Sequence, residues 1–178
     1  MLQKCSLWRV AQVFFDEPIK EHYLMEISRK SNLSHTSVKN KLKTLIDEGI
    51  ISKDKEKRGK RIYPIYKAKL ESKKYKKYKK IDILHRIEEV GLNNYLKGKY
   101  QPDCIVLFGS AARGEDTEKS DLDLFLQMEK EEINLNEFEE KLNRKIQLHI
   151  SRDIKNYPEE LKNNIANGIL LHGYLDIF

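Results

Sequence analysis

The chain contains no run of about 18 apolar residues, the length a helix needs to cross a bilayer. Its opening, Met1 to Val10, lacks the long apolar stretch and small-residue cleavage site of a secretory leader. On these absences the expectation is a soluble, cytoplasmic protein with no spanning helix, no export signal and no membrane partner. Cysteine is scarce as well. Cys5 and Cys104 stand far apart and match no metal-ligand spacing. Both are expected to be core thiols, one in a buried helix and one in a buried strand.

What is present is a chain of 178 residues, 39% of them hydrophobic, enough for one medium core or two small ones. Its formal net charge of +6 hides a division. Residues 1–80 hold 22 Lys and Arg against 9 Asp and Glu, a balance of +13; residues 81–178 hold 12 against 19, a balance of −7. Such asymmetry points to a basic part that meets a polyanion, joined to a part with other work; the alternative is a solvated lysine-rich surface.

In the basic part, Leu7, Val10, Ala11 and Phe14 recur at helical spacing, and Asp16 to Pro18 end that segment. A second helix is expected to open at Pro18 and Glu21, to turn Leu24 and Ile27 to one face, and to end at Ser31-Asn32-Leu33. Ser34 is the expected N-cap of a third, whose Val38, Leu42, Leu45 and Ile46 form a buried stripe stopped by Gly49. Ile50-Ile51 and Ile62 to Tyr66 then read as strands flanking the basic run Lys53 to Arg61. Leu2 to Lys67, above all "LSHTSVKNKLKTLIDEGII", resembles the winged helix-turn-helix domains of bacterial and archaeal transcription regulators. The resemblance implies double-stranded DNA as a partner, and fold analogy adds a homodimer. Counting about 100° per residue from the buried stripe puts Thr36, Ser37, Asn40, Lys43 and Thr44 on the outward face, where they are candidates for reading bases. Lys55, Lys57, Arg58, Lys60 and Arg61 of the hairpin are candidates for phosphate contact. A winged helix used only for dimerisation or protein contact is the alternative.

Residues 68–80 are lysine-rich and have no apolar periodicity. They are expected as a linker or solvated connecting helix outside any core, with Ile83, Leu84, Ile87 and Val90 sharing a helical face beyond them. Tyr75 and Tyr78 are candidates for stacking on nucleic acid. The expected organisation is a DNA-binding domain over 1–67, a connector over 68–80 and a second domain over 81–178.

In the acidic part, Cys104 to Phe108 is a continuous apolar run, as for a strand buried on both faces. Gly109-Ser110 follows at once, and after a ten-residue spacer comes Asp121-Leu122-Asp123. On a strand, alternation sends both carboxylates to one face and Leu122, Leu124 and Leu126 to the core. Converging carboxylates are the hard oxygen ligands Mg²⁺ takes, and Mg²⁺ neutralises the charge of a triphosphate during transfer. Gly109 lets the backbone approach a phosphate, the Ser110 hydroxyl and nearby amides can donate to it, and Arg113 can add a cationic contact.

Gly109-Ser110-x10-Asp121-x-Asp123, in the setting "FGSAARGEDTEKSDLDLFL", resembles the signature of the minimal nucleotidyltransferases of the DNA polymerase β superfamily, the kind found as antitoxins beside HEPN-domain toxins. The similarity extends from about Ile81 to Phe178, with "NGILLHGYL" as the terminal strand after a helix over Pro158 to Ala166. It implies a small mixed sheet with helices on one face, so that the whole chain is α+β: a winged helix-turn-helix followed by a polymerase β-like domain. It implies ATP or another nucleoside triphosphate as substrate and Mg²⁺ as cofactor. Asp121 and Asp123 are then the catalytic metal ligands, Gly109, Ser110 and Arg113 bind the nucleotide, and AMP passes to a tyrosine of a HEPN-type toxin. The pattern departs in one place. The superfamily's third carboxylate is sought on Lys145 to Ile150, which offers Gln147, and an amide neither acts as a base nor binds magnesium strongly. His149 shares the Gln147 face, and Asp153 lies further along. The alternative function is therefore a transcription regulator whose second domain only senses nucleotide or dimerises.

Overall fold

The computed structural model of the protein describes residues 5–176; positions 1–4 and 177–178, the outer ends of the two expected domains, lie outside the described residues. The chain divides into two compact units, Met1–Asp82 and Ile83–Phe178.

The first unit runs α1 (Ser6–Asp16), β1 (His22–Tyr23), α2 (Leu24–Ser31), α3 (His35–Asp47), β2 (Ile51–Arg58) and β3 (Arg61–Ala68), and ends within α4 (Lys73–Glu89). α1 turns Val10, Ala11, Val13 and Phe14 into the core. Ser34 caps α3 as expected, its hydroxyl oxygen accepting from the Ser37 amide at 3.3 Å. Val38, Leu42 and Leu45 are buried, while Ile46 is only partly covered. Gly49, at φ +71°, ends the helix, and the Gly49 and Ile50 amides return to the Ile46 and Leu45 carbonyls.

Several expectations fail in this unit. Pro18 does not open the second helix: residues 17–21 turn, and His22 and Tyr23 pair with Tyr66 and Ile65 before α2 begins at Leu24. The sheet order among the described residues is β1-β3-β2, antiparallel throughout. The basic run is not a loop between strands but the strands themselves, which extend to Arg58 opposite Arg61 with Gly59-Lys60 as the turn. Cys5 is an exposed residue at the N-cap of α1, ahead of the apolar stripe, and is not a core thiol; Cys104 is buried as expected.

The lysine-rich stretch also contributes to a core. Tyr75 is 1% exposed, and its hydroxyl donates to the Phe14 carbonyl at 2.8 Å. On a helix, one side chain in about four can face inward while its lysine neighbours stay in water. Buried there, Tyr75 cannot stack on a base. Tyr78 packs edge-on to Trp8, and Trp8 and Gln12 both donate to Asp82 at 2.9 Å.

The second unit begins within α4 and continues as α5 (Leu92–Tyr100), β4 (Cys104–Phe108), α6 (Gly109–Arg113), β5 (Leu122–Gln127), α7 (Asn136–Leu142), β6 (Ile146–Ile150), a 3-10 turn (Ile154–Asn156), α8 (Glu159–Ala166) and β7 (Ile169–Gly173). The sheet is mixed, as the resemblance implied. Its order is β6-β5-β4-β7, with β5 and β6 parallel and the other pairs antiparallel. The parallel pair needs a crossover, which α7 provides. Ile105, Leu107, Leu122, Leu124 and Leu126 bury one face against α5, α7 and the end of α4. Val106, Phe108 and Phe125 bury the other with Ile154 and Ile165. Helices thus cover both faces rather than one, because the second face is apolar enough to require α8. Among the described residues, no helix is long and apolar enough to cross a membrane.

Candidate functional site

The antiparallel register sets Phe108 at the end of β4 opposite Asp123 near the start of β5. The next residue, Gly109, has φ +74°, and a Cβ there would lie 2.2 Å from Asp123 Oδ2. Glycine is required twice over, by its backbone angle and by the carboxylate that fills the space of a side chain. Ser110 follows, partly exposed, and its carbonyl accepts from the Glu115 amide at 2.9 Å, closing the turn after α6.

Asp123 is half-buried, and Asp121 is exposed one residue before β5. Burial pushes the Asp123 carboxyl up from its ordinary value; the Asp121 charge adds to this, while His149 and Arg113 oppose it. Asp121, Asp123, Arg113 and His149 therefore share one electrostatic site. Arg113 is also held by Glu115, its Nε donating to Oε2 at 2.9 Å. A carboxylate whose ionisation is opposed by burial and by a second carboxylate is relieved by a divalent cation. An oxygen donor set of this kind suits Mg²⁺, with Asp121 and Asp123 as the residues able to hold it.

On β6, Gln147 is in register with Asp123 and His149 with Phe125. The amide thus occupies the position where a third carboxylate was sought. His149 is no isolated surface histidine: its ring packs edge-on to Phe108 at 5.2 Å and to Tyr157 at 6.2 Å. Asp153 is occupied in capping the 3-10 turn, accepting from the Lys155 amide at 2.8 Å.

A buried ion pair is the feature that sequence reasoning missed. Arg144 Nη1 lies 2.5 Å from Asp116 Oδ2, with side chains 9% and 2% exposed. Asp116 belongs to the ten-residue spacer and Arg144 precedes β6, so the pair ties the spacer that leads through Ser120 into Asp121 to the sheet. Leu122 reinforces this by donating its amide to the Lys145 carbonyl at 2.8 Å. The spacer offers three acids, Glu115, Asp116 and Glu118, and nothing in the sequence singles out Asp116 or marks Arg144 as its partner. Beside Asp121 lies a cavity of about 630 Å³ lined by Ser120, Asn136, Glu139, Asn143 and Lys145.

In the first unit, Thr36, Asn40, Lys43 and Thr44 are exposed on α3, and Ser37 is partly covered. The Thr44 hydroxyl donates back to the Asn40 carbonyl at 3.3 Å. Lys55, Lys57, Lys60 and Arg61 are exposed along the hairpin. Arg58 closes β2, and its side chain lies outside the described residues. Between α3 and the hairpin is a groove of about 390 Å³ with Leu42, Ile46, Pro64 and Tyr66 in its floor. Lys39, Lys43 and Lys53 line it too, and Lys39 and Lys53 were not among the expected contacts.

Residues 91–175 match the family model described as "Polymerase beta, Nucleotidyltransferase", which supports a polymerase β nucleotidyltransferase domain over that span, with Gly109, Ser110, Asp121 and Asp123 inside it. No curated protein matches the chain. Among solved structures, it is similar to a "Possible transcriptional regulator from Methanosarcina mazei Go1", at 22% identity and a TM-score of 0.35, over 55% of this chain and 85% of that one.

Proposed function

We propose that the second unit is a nucleotidyltransferase using Mg²⁺ and ATP or another nucleoside triphosphate, and that the first is a winged helix-turn-helix that binds double-stranded DNA. The observation that carries the first half is the seat of Asp123 against Gly109. It brings the carboxylate to the Gly-Ser turn, so that one place offers both a metal ligand and a hydroxyl donor. Asp121 and Asp123 would hold Mg²⁺, which when bound neutralises charge on the triphosphate. Ser110 donates to a phosphate oxygen, and Arg113 supplies positive charge beside it. The Asp116–Arg144 pair keeps Asp121 in place.

The reaction is AMP transfer to a protein tyrosine, in the manner of minimal nucleotidyltransferase antitoxins, with a HEPN-type toxin as acceptor. The phenol oxygen bonds to the α-phosphorus, the bond from that phosphorus to the β-phosphate bridge breaks, pyrophosphate leaves and the phenol proton passes to solvent. A phenol, with a pKa of about 10, needs less help from a base than a ribose hydroxyl does. Gln147 can give none. The same residue favours a second reading, a cytoplasmic transcription regulator whose second unit senses nucleotide without transferring it.

For the first unit, the +13 balance of residues 1–80 and the exposed α3 and hairpin residues support duplex binding, and fold analogy adds a homodimer on two half-sites.

The test is to incubate the full chain with Mg²⁺ and ATP labelled at the α-phosphate, together with the product of the neighbouring gene and an RNA acceptor. Label on the protein partner supports transfer to tyrosine. Label on RNA alone overturns the choice of acceptor, and Mg-ATP binding without label favours the sensor. Asp121→Asn with Asp123→Asn removes the magnesium-dependent part of nucleotide binding; unchanged binding places the site elsewhere.

A further inference from the structure

One cluster in the first unit lies outside everything assigned so far. Glu17 follows α1, His22 is the first residue of β1, and Glu26 stands in the first turn of α2. His22 is fully buried, its ring edge-on to Phe14 at 5.1 Å. Its Nε2 lies 3.2 Å from the Glu17 carbonyl. A carbonyl only accepts, so Nε2 carries the proton and donates it. With the proton on Nε2 of this enclosed ring, Nδ1 is left to present a lone pair. That lone pair faces two more acceptors. Nδ1 is 3.7 Å from Glu17 Oε2 and 3.7 Å from Glu26 Oε2, and among the described residues it has no hydrogen-bond partner.

Lys20 and Lys30 balance the carboxylate charge: Lys20 Nζ is 2.6 Å from Glu26 Oε1, and Lys30 pairs with Glu17 Oε2. Neither gives Nδ1 a hydrogen bond. The lysines offset the repulsion between the carboxylates, but a buried nitrogen without a hydrogen-bond partner is unfavourable until a proton or a metal ion takes its lone pair.

We propose that Glu17, His22 and Glu26 form a binding site for a divalent transition metal of the Zn²⁺ type. One imidazole nitrogen and two carboxylate oxygens are a set that zinc accepts, with water in a fourth position. The ligand atoms lie within 4.8 Å of one another. Bonds of about 2.0–2.1 Å give a tetrahedral edge of roughly 3.3 Å, so the two histidine–carboxylate edges need shorten by only a few tenths of an ångström. The Nε2 bond to the Glu17 carbonyl fixes ring and tautomer, as partners of metal-bound imidazoles do. Glu17 and Glu26 side chains are 28% and 16% exposed, which leaves a way in, and the lysines are on exposed stems that can swing aside. The ion would pin the end of α1, β1 and the start of α2 together. It would also differ from the ion at Asp121 and Asp123, since an imidazole selects against Mg²⁺.

The full chain carrying Asp121→Asn and Asp123→Asn, which silences the acidic pair of the second unit, is titrated with Co²⁺ alone and then with Zn²⁺, in excess Mg²⁺. The expected result is one equivalent of Co²⁺ with the visible absorption of a low-coordinate site, displaced by Zn²⁺. Adding Glu17→Gln and Glu26→Gln, nearly isosteric and partly exposed, should lower the affinity at least about a hundredfold, because losing even a partner behind a metal-bound imidazole costs about 10- to 100-fold. Because replacing His22 risks the core, its ring is followed instead by nitrogen NMR, where one equivalent of Zn²⁺ should shift Nδ1. Absence of both the cobalt band and the Nδ1 shift in the folded chain overturns the site. So does Co²⁺ binding that the two glutamine substitutions leave unchanged.

Discussion

Asp123 on β5 stands in register with Gln147 on its parallel neighbour β6. A carboxylate at 147 would therefore join Asp121 and Asp123 on one face. Gln147→Asp should tighten Mg²⁺ binding and raise transfer to an RNA hydroxyl by about 10²-fold or more, the usual contribution of a positioned base. Transfer to tyrosine should gain less. Single-turnover rates with both acceptors check this, and equal gains would remove the explanation from acceptor acidity.

Gly109→Ala puts a methyl 2.2 Å from Asp123 Oδ2 at a φ of +74°. It should abolish Mg-ATP binding and destabilise the second unit by about 1–3 kcal/mol, the range for a strained backbone position. Adding Asp123→Ala removes the clash, so chemical denaturation of the double variant should recover part of that loss, a coupling of about 0.5–3 kcal/mol. Strict additivity would mean that Gly109 answers only to its backbone angle.

Asp116→Ala leaves the Arg144 charge buried without its partner, which should cost about 3–5 kcal/mol. Asp116→Leu with Arg144→Met should restore most of the stability, read from the denaturation midpoint. It should not restore Mg-ATP affinity, because the spacer is no longer held to the sheet. Full affinity in that double variant would make the pair structural only.

Burial pushes the Cys104 thiol up to about 11, whereas Cys5 is exposed. Since the thiolate is the reactive form, a disulfide reagent at pH 8 should titrate one thiol in the folded chain and two in denaturant. The native state keeps the Cys104 proton longer than the unfolded chain does. Stability is thus unaffected below the ordinary thiol value of 9.0 and declines as pH rises from there toward about 11. Cys104→Val should flatten that decline, and equal reactivity of both thiols in the native fold would contradict the burial of β4.

If the first unit neutralises about five or six phosphates, log affinity for duplex DNA should fall against log salt with a slope of roughly −5. Asn40→Ala should relax sequence discrimination, while Lys57→Ala should weaken all duplexes alike and reduce the slope by about 1. A flat salt response removes the DNA reading.

Much of this was legible from residue order. Helical spacing marked α1 and α3, Ser34 announced its cap, and the apolar run at Cys104 to Phe108 with Asp121-x-Asp123 after it located the site strands. The failures share a cause. β1 is two residues long, too short for any alternation to register, and it exists only because β3 offers it an edge. Tyr75 was hidden by its lysine neighbours, since local composition cannot say which single side chain in a polar helix turns inward. Arg144 and Asp116 meet across the fold, as do Glu17, His22 and Glu26 around the α1–α2 turn, and pairings of that kind appear only when the chain is closed. Gly109 was read as room for a phosphate, and the structure shows that it is first of all room for Asp123.

The place where the chain divides lies inside α4. Tyr75 near its start completes the core of the first unit, and Ile87 near its end completes that of the second. Neither unit is therefore an interchangeable module in the ordinary sense. A recombination event that cut ahead of Lys73 would strip a tyrosine from one interior, and one that cut after Glu89 would strip isoleucines from the other. Any transplant of either half that is to keep its interior must carry its share of this helix.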